Sequence, residues 1–390
     1  MAVDTTPAAP SHPEGGDSGG EAVRPLLSGA PAEEEGEEEE LDVRYAPYAR
    51  RDAYGVMGRG PLSPAQVARL VLAAAFLLPL RLVAGVFLVV AYYLVCRICT
   101  LFVDGLEEGR PRLQGWRREA VLRAGRGLSR AMLFVFGFYW IPMSDRSVPN
   151  AEDVHQDQSA ELERPGAIVS NHVSYVDVLY HMSASSPSFV AKNSVSKLPL
   201  IGLISKCLGC IFVQRESKGS DSKGVSGAVT ERVQEVSQDN NSPMVLLFPE
   251  GTTTNGDYLL PFKTGAFLAR APVQPVILRY PYKRFSPAWD SMDGARHVFL
   301  LLCQVANYIE VVHLPIYYPS EQEKDDPRLY ANNVRKLLAI EGNLTLSNLG
   351  LAEKRVYHAA LNGMENTTAN NRMATRLKMF DAADSNSSDS

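Results

Sequence analysis

The hydrophobic positions of this chain are concentrated in one long stretch near the N-terminus and in shorter runs further on. From Leu70 to Val103 nearly every side chain is apolar, and Arg81 and Arg97 carry the only charges. A helix that crosses a bilayer needs about 20 apolar residues, and soluble helices rarely stay apolar on all faces over such a length. The stretch therefore predicts a membrane segment.

This membrane segment has two possible forms. Pro79 and Arg81 lie near its middle, and a charge at the centre of a bilayer costs about 2.5 to 3.5 kcal/mol on insertion scales. The pair favours a hairpin of two short helices that enters from one face of the membrane. A single tilted span is the alternative.

Two neighbouring stretches also predict contact with a membrane. The apolar run at 131–143 is too short to cross a bilayer, and Tyr139 and Trp140 are typical of side chains at headgroup level. Seven arginines lie between Arg110 and Arg130. This basic stretch predicts a surface that faces anionic headgroups on the cytosolic side, although an ordinary solvated helix face would show the same pattern.

The two ends of the chain lack a hydrophobic period, and both are predicted to be disordered. The first is rich in Pro, Gly, Ala and Glu, and the last is polar. The expected divisions are a disordered acidic arm at 1–60, membrane-anchoring helices with the basic segment at 61–143, a catalytic domain at 144–320, a peripheral helical segment at 321–361 and a disordered tail at 362–390.

Charge and cysteine content argue against two classes of protein. The net charge of −5 comes mostly from the acidic N-terminal arm, so bulk nucleic-acid binding gains no support and no nucleic-acid partner is expected. The five cysteines are an odd number, which does not suit a secreted disulfide framework. The pairs Cys96–Cys99 and Cys207–Cys210 lack zinc-finger spacing, so we interpret them as buried thiols and expect no metal.

From about Gly166 the pattern changes to short β-branched runs that alternate with helix-compatible segments. We expect an α/β fold with a mixed sheet flanked by helices, attached to the N-terminal membrane hairpin or span.

His172 and Asp177 lie where the first of these strands turns into a helix. In that position the aspartate accepts a hydrogen bond from one imidazole nitrogen and leaves the other nitrogen free as a base. No serine or cysteine nucleophile is prepared beside them, so the group that such a base would activate is a hydroxyl of the substrate. A purely structural His–Asp pair is the alternative.

Later strands end in residues that suit phosphate groups. An arginine can bind a phosphate in a bidentate manner, glycine lets the backbone approach a ligand, and a lysine at a helix N-terminus suits an anion. The residues with these properties, and the blocks that contain them, are Gly209, Phe212 and Arg215, then Phe248 to Thr252, and then Lys263.

Taken in this order, the blocks resemble those of the glycerolipid acyltransferase family, N-H-x-x-x-x-D, G-x-x-F-x-x-R, F-P-E-G-T and V-x-P-V. The resemblance covers about 164–318. The matching residues are Asn171, His172 and Asp177; Gly209, Phe212 and Arg215; Phe248, Pro249, Glu250, Gly251 and Thr252; and Val273, Pro275 and Val276.

The resemblance implies transfer of an acyl group from acyl-coenzyme A, as co-substrate and without another cofactor, to a hydroxyl of a lysophospholipid or glycerol phosphate. It makes His172 the general base and Asp177 its orienting partner. The residues that it implies for binding of the acceptor and its phosphate are Gly209, Phe212, Arg215, Glu250, Gly251, Thr252 and Lys263.

Within the family, the blocks at 250–267 and 271–280 resemble the branch that reacylates lysophosphatidylethanolamine and lysophosphatidylcholine, as in the plant enzymes with a short C-terminus. The resemblance implies an enzyme of phospholipid remodelling in the endoplasmic reticulum membrane, with its active site facing the cytosol. Acylation of lysophosphatidate or glycerol 3-phosphate is the alternative within the same chemistry. A non-catalytic membrane scaffold that has kept the fold is the alternative from another class.

Overall fold

The computed structural model describes residues 39–103, 113–146, 164–213, 221–239 and 242–363. Its strands are β1 (Met143–Asp145), β2 (Ala167–Ser170), β3 (Ser188–Lys192), β4 (Ile211–Val213), β5 (Val245–Leu247), β6 (Tyr258–Leu259), β7 (Val273–Arg279), β8 (Glu310–His313) and β9 (Thr345–Leu346). Its α-helices are α1 (Pro64–Leu72), α2 (Leu78–Cys99), α3 (Gly115–Val135), α4 (Val176–Ala184), α5 (Ile201–Cys207), α6 (Asp221–Gln238), α7 (Gly294–Cys303), α8 (Glu321–Asp325), α9 (Pro327–Gly342) and α10 at 351–363.

A seven-stranded sheet in the order β1-β8-β7-β2-β5-β3-β4 forms the centre of the structure. β7 and β8 pair antiparallel, whereas β7, β2 and β5 are parallel neighbours. The predicted α/β fold with a mixed sheet is confirmed. β2 is buried along its whole length, as expected of a central strand that is covered by helices on both faces.

The two faces of the sheet carry separate hydrophobic cores. Ala167 and Val169 of β2 point into one core, which α6 and α9 cover, and Ile168 points into the other, which α4 and α7 cover. This alternation follows from the two-residue period of a strand. The segment at 321–361, predicted to be peripheral, contributes buried side chains of α9 to the first of these cores.

The apolar N-terminal stretch forms one continuous helix, Pro64–Cys99, that is long and apolar enough to cross a membrane and is mostly unburied. The hairpin favoured from Pro79 and Arg81 is wrong for these residues. A π-helical turn at Ala73–Leu77 precedes Pro79, and the wider spacing of such a turn tolerates a residue without an N–H.

Arg81 does not face lipid, although it lies in this apolar helix. Its guanidinium is buried and donates to the backbone oxygens of Leu302 and Val305, at 2.9 and 3.0 Å, at the C-terminal end of α7. A cation is stabilised there because a helix ends in unpaired carbonyl groups with partial negative charge. The arginine therefore attaches the apolar helix to the domain with the sheet.

The apolar run after α3 lies partly in the core and partly at the surface. Leu133 and Phe138 are buried, while Phe134 and Trp140 are exposed. The arginines of α3 have mixed partners: Arg123 forms a salt bridge with Glu119, and others donate to backbone oxygens. Arg110 and Arg112 lie outside the described residues.

The N-terminal segment predicted to be disordered up to Gly60 has regular structure from 39 onwards, starting with a helix at 39–44. Tyr48 is fully buried and packs with Tyr357 of α10 in a small hydrophobic cluster. Arg50 forms buried ion pairs with Asp52 and with Asp290. The prediction failed here because the aromatic residues of this segment follow no helix or strand period. The rest of the predicted arm, 1–38, lies outside the described residues, as does the tail from 364.

Arg50→Ala should lower the free energy of unfolding by about 3–5 kcal/mol, since it leaves two buried carboxylates without their cation. Thermal unfolding of the detergent-solubilised protein measures this loss. Arg51→Ala is the control, because that neighbouring side chain is exposed, and it should change stability by no more than about 0.5 kcal/mol. Equal losses of stability in the two variants would contradict the finding that the N-terminal segment is ordered.

Candidate active site

Three parallel neighbouring strands bring the predicted site residues to one edge of the sheet. β2 ends just before Asn171 and His172, β5 ends just before Phe248, and β7 ends just before Tyr280. Ligand sites of parallel sheets lie at the carboxyl ends of the strands. Asn171 connects the first and third of these ends, because its side chain bonds both the N–H and the carbonyl oxygen of Leu278, at 2.8 and 2.9 Å.

His172 and Asp177 form the predicted pair. The Nδ1 atom of His172 lies 2.8 Å from Oδ2 of Asp177, which also accepts from the backbone N–H groups of Val173 and Ser174. Because the carboxylate accepts, Nδ1 carries the proton and Nε2 is left with its lone pair. Nε2 forms no hydrogen bond with any described residue, and the imidazole stacks on Phe248 with ring centroids 4.1 Å apart.

Asp177 is fully buried in the first turn of α4, where the helix dipole favours a negative charge. Its second oxygen, Oδ1, accepts a short hydrogen bond from the hydroxyl of Tyr280. Burial and then the neighbouring carboxylate raise the pKa of Tyr280 far above its usual value, so the phenol remains a donor. Tyr280, Asp177 and His172 thus form a continuous hydrogen-bonded chain that ends at Nε2.

Sequence reasoning missed Tyr280. Tyr280 lies directly after the V-x-P-V strand. This strand pairs with β2, and the pairing places the carboxyl end of the V-x-P-V strand beside the His–Asp pair. That pairing is the signal that identifies Tyr280. No spacing along the chain reveals this, since Tyr280 and Asp177 are 103 positions apart.

Glu250 has a different position from the one expected for an acceptor-binding residue. It is buried, and its two oxygens accept from the backbone N–H groups of His172 and Leu260, at 2.7 and 2.9 Å. Burial raises the pKa of Glu250 to about 8, the two N–H donors oppose this shift, and the Asp177 carboxylate adds to it. The side chain therefore holds the loop that carries His172 in place and does not line the cavity described next.

His172 opens onto a cavity of about 1180 Å³. Three of the predicted acceptor-binding residues, Gly251, Thr252 and Lys263, line this cavity beside the histidine. Gly251 has φ of +74°, and a Cβ atom there would collide with the ammonium group of Lys263. The backbone conformation favours glycine, and a larger residue there would also displace the ammonium group of Lys263.

The opposite end of the cavity is apolar and reaches the N-terminal helices. Its walls come from α2, α3, α4 and α5, and their mostly apolar side chains suit hydrocarbon chains. Representative lining residues are Leu88, Tyr92, Leu128, Met132, Met182 and Ile204.

The described residues of the block Gly209, Phe212 and Arg215 do not line the cavity. Gly209 has φ of +68° after the last turn of α5, and Phe212 packs against a cluster that contains the buried thiols Cys96, Cys99, Cys207 and Cys210. Neither lines the cavity. Arg215 lies outside the described residues, so its predicted phosphate contact remains a prediction.

Comparisons with known proteins agree with the motifs. The family model described as Acyltransferase matches residues 149–279. The chain is 58% identical over 351 residues to lysophospholipid acyltransferase LPEAT1 of Arabidopsis thaliana, across 83% of this chain and 88% of that protein. It is 34% identical over 279 residues to a lysophosphatidylcholine acyltransferase of Drosophila melanogaster, across 70% of this chain and 49% of that protein, and so spans about half of that relative.

A solved structure, the 1-acyl-sn-glycerophosphate (LPA) acyltransferase PlsC of Thermotoga maritima, matches 69% of this chain and 100% of its own. The TM-score is 0.38 and the sequence identity 16%, which is too low for a comparison of individual residues. The resemblance to acyltransferases drawn from the four motifs is confirmed by the sequence comparisons.

Tyr280→Phe should lower kcat by about tenfold with little change in KM, because Asp177 loses the donor to its second oxygen and His172 is then held less firmly. The loss of one buried donor should also cost about 1–3 kcal/mol of stability. Initial rates at saturating substrate and melting temperatures, each compared with the wild type, measure the two effects. A fall in stability with an unchanged kcat would mean that Tyr280 acts on folding alone.

Glu250→Gln should lower kcat by about tenfold with little change in KM, because an amide oxygen can accept only one of the two N–H bonds and the His172 loop can then move.

Glu250→Gln should also flatten the pH dependence of stability. A folded-state pKa raised from 4.5 to about 8 stabilises the protein below pH 4.5, and this contribution is lost as the pH rises through 8.

Melting temperatures at pH 6, 7, 8 and 9 test the second effect, with the exposed Glu321→Gln as control. The wild type and the control should lose stability over this range more steeply than Glu250→Gln. Parallel slopes in all three would contradict the role of Glu250.

Proposed function

Because the chain belongs to the acyltransferase family, we propose that it transfers a fatty acyl group from acyl-coenzyme A to the free hydroxyl of a lysophospholipid. Lysophosphatidylethanolamine is the expected acceptor, and lysophosphatidylcholine the second. The names of the relatives support this class of acceptor. The observation that carries the proposal is the His172–Asp177 pair, which opens onto a cavity with one basic and one apolar end.

In this reaction Nε2 of His172 takes the proton from the acceptor hydroxyl as its oxygen attacks the thioester carbonyl. The new C–O bond forms, the C–S bond breaks, and the leaving thiolate of coenzyme A receives the proton from the imidazolium. Asp177 stabilises the charged imidazole between these two steps. The reaction needs no nucleophile from the chain, which agrees with the finding that no described serine or cysteine is hydrogen-bonded to Nε2 of His172.

The two ends of the cavity suit the two parts of the substrates. The phosphate of a lysophospholipid matches the end with Lys263 and Thr252, and its acyl chain and that of the donor match the apolar end. Leu88 and Tyr92, which line the apolar end, belong to the apolar helix Pro64–Cys99. This connection gives lipid substrates a route from a bilayer to the histidine.

We place the enzyme in the endoplasmic reticulum membrane with its active site on the cytosolic face. The exposed apolar helix and the arginines of α3 support a membrane location. The particular membrane and the orientation rest on the family resemblance.

His172→Ala should lower the transfer rate by about 10²–10⁴-fold, the usual contribution of a general base. The assay measures transfer of a labelled oleoyl group from oleoyl-coenzyme A on membranes that contain the protein. The acceptors are lysophosphatidylethanolamine, lysophosphatidylcholine, lysophosphatidate and glycerol 3-phosphate. The variant also removes one donor to the buried Asp177 carboxylate and should lose about 1–3 kcal/mol of stability, so transfer is measured at a temperature at which its melting curve shows it folded.

The acceptor panel separates the proposal from its alternatives. Transfer to the two zwitterionic acceptors that is lost in the variant supports the proposed reaction and base. Transfer only to lysophosphatidate or glycerol 3-phosphate would replace the acceptor class. No transfer by a folded wild-type protein would favour a scaffold without catalytic activity.

A further inference from the structure

The helix α10 contributes a second cation to the cavity of the active site. Leu351 and Arg355 both line the cavity, and residues four positions apart lie on the same face of a helix. Arg355 is far outside the 149–279 stretch that the family model matches. Neither the four motifs nor the spacing of residues in the catalytic segment points to it.

Helix α10 is held firmly against the active-site loop. The ammonium of Lys354 is buried and donates to both the backbone and hydroxyl oxygens of Thr253, each at 2.8 Å. Tyr357, one turn further on, is fully buried. Thr253 directly follows Gly251 and Thr252, which line the cavity. The position of Arg355 is thus tied to the same loop that shapes the polar end of the site.

The charged side chains that line the cavity are all basic. Among the described residues that line it, Lys263 and Arg355 are the only ones with a permanent formal charge, and no aspartate or glutamate is present. Arg355 is exposed and has no hydrogen bond or ion pair with any described residue. Two cations that line one cavity attract an anion, and a guanidinium suits the paired oxygens of a phosphate.

We propose that Arg355 is a phosphate-binding residue that, together with Lys263, holds a phosphate or pyrophosphate group of a substrate at the polar end of the cavity. This inference rests on the proposed function for the identity of the substrates. Two sources carry the required group: the phosphodiester of the lysophospholipid and the phosphates of coenzyme A. Because Arg355 acts in binding, its loss should raise a KM and leave kcat nearly unchanged.

Arg355→Gln should raise the KM for one of the two substrates by about five- to tenfold, with kcat within about twofold of the wild type. Arg355→Lys should recover part of the loss, since it keeps the charge but not the bidentate geometry. The matched control is Arg328→Gln, which removes the same charge from an exposed arginine of α9 that does not line the cavity. Its two KM values should equal those of the wild type.

The two substrates are varied separately so that the source of the phosphate is identified. A higher KM for oleoyl-coenzyme A, with weaker inhibition by adenosine 3′,5′-bisphosphate, assigns Arg355 to the donor. A higher KM for lysophosphatidylethanolamine alone assigns it to the acceptor. KM values for both substrates that match those of Arg328→Gln would overturn the proposal.

Direct binding separates this inference from the proposed reaction. Titration of coenzyme A and of lysophosphatidylethanolamine into detergent-solubilised protein requires no turnover. Weaker binding of either ligand by Arg355→Gln supports the phosphate contact even if the wild type transfers no acyl group, an outcome that would refute the proposed function alone. Equal binding by the wild type and the variant, or binding of neither ligand by both, would overturn the role of Arg355.

Discussion

The buried carboxylate of Asp177 is the constraint around which the site is organised. An ionised carboxylate inside a protein is strongly unfavourable unless donors satisfy it, and here they come from the backbone of Val173 and Ser174, the imidazole of His172 and the phenol of Tyr280. These donors belong to two different strand ends. The carboxylate is satisfied only when β2 and β7 are neighbours with the same direction, so the geometry of the His172–Asp177 pair depends on the order of the sheet.

A second buried carboxylate fixes the other side of the histidine. Glu250 connects the loop after β5 to the backbone of His172, and the two acids lie close enough for Asp177 to raise the pKa of Glu250. The acids have different tasks: Asp177 orients the imidazole ring, and Glu250 holds the peptide group that carries it. The F-P-E-G-T block therefore combines a positioning residue with a glycine that admits a lysine to the cavity.

Segments near the two ends of the described chain hold the loops around the site through buried cations. Arg50 of the N-terminal segment pairs with Asp290, and Lys354 of α10 bonds both Thr253 and Trp289. Arg81 attaches the apolar helix to the end of α7 in a similar way. Each cation is buried and hydrogen-bonded to carboxylate, carbonyl or hydroxyl oxygens, so these contacts stabilise one arrangement of the helices and loops around the cavity.

The sequence alone determined the features that depend on neighbours along the chain. The apolar helix, the alternating α/β pattern, the His172–Asp177 pair five positions apart and the order of the motif blocks are all local, and side-chain chemistry was enough to interpret them. The same local patterns identified Gly251, Thr252 and Lys263, which do line the cavity beside the histidine.

The tertiary structure decided what depends on residues distant in sequence. It showed that Glu250 supports a loop and does not line the cavity, and it brought Tyr280 and Arg355 to the site. It also showed that the segment before Gly60 is packed against the rest of the chain. Hydrophobic periods and motif spacing report only which elements form. Which strand ends and helix faces meet is set by the pairing of the sheet and by the need to satisfy buried charges, and neither is visible along the chain.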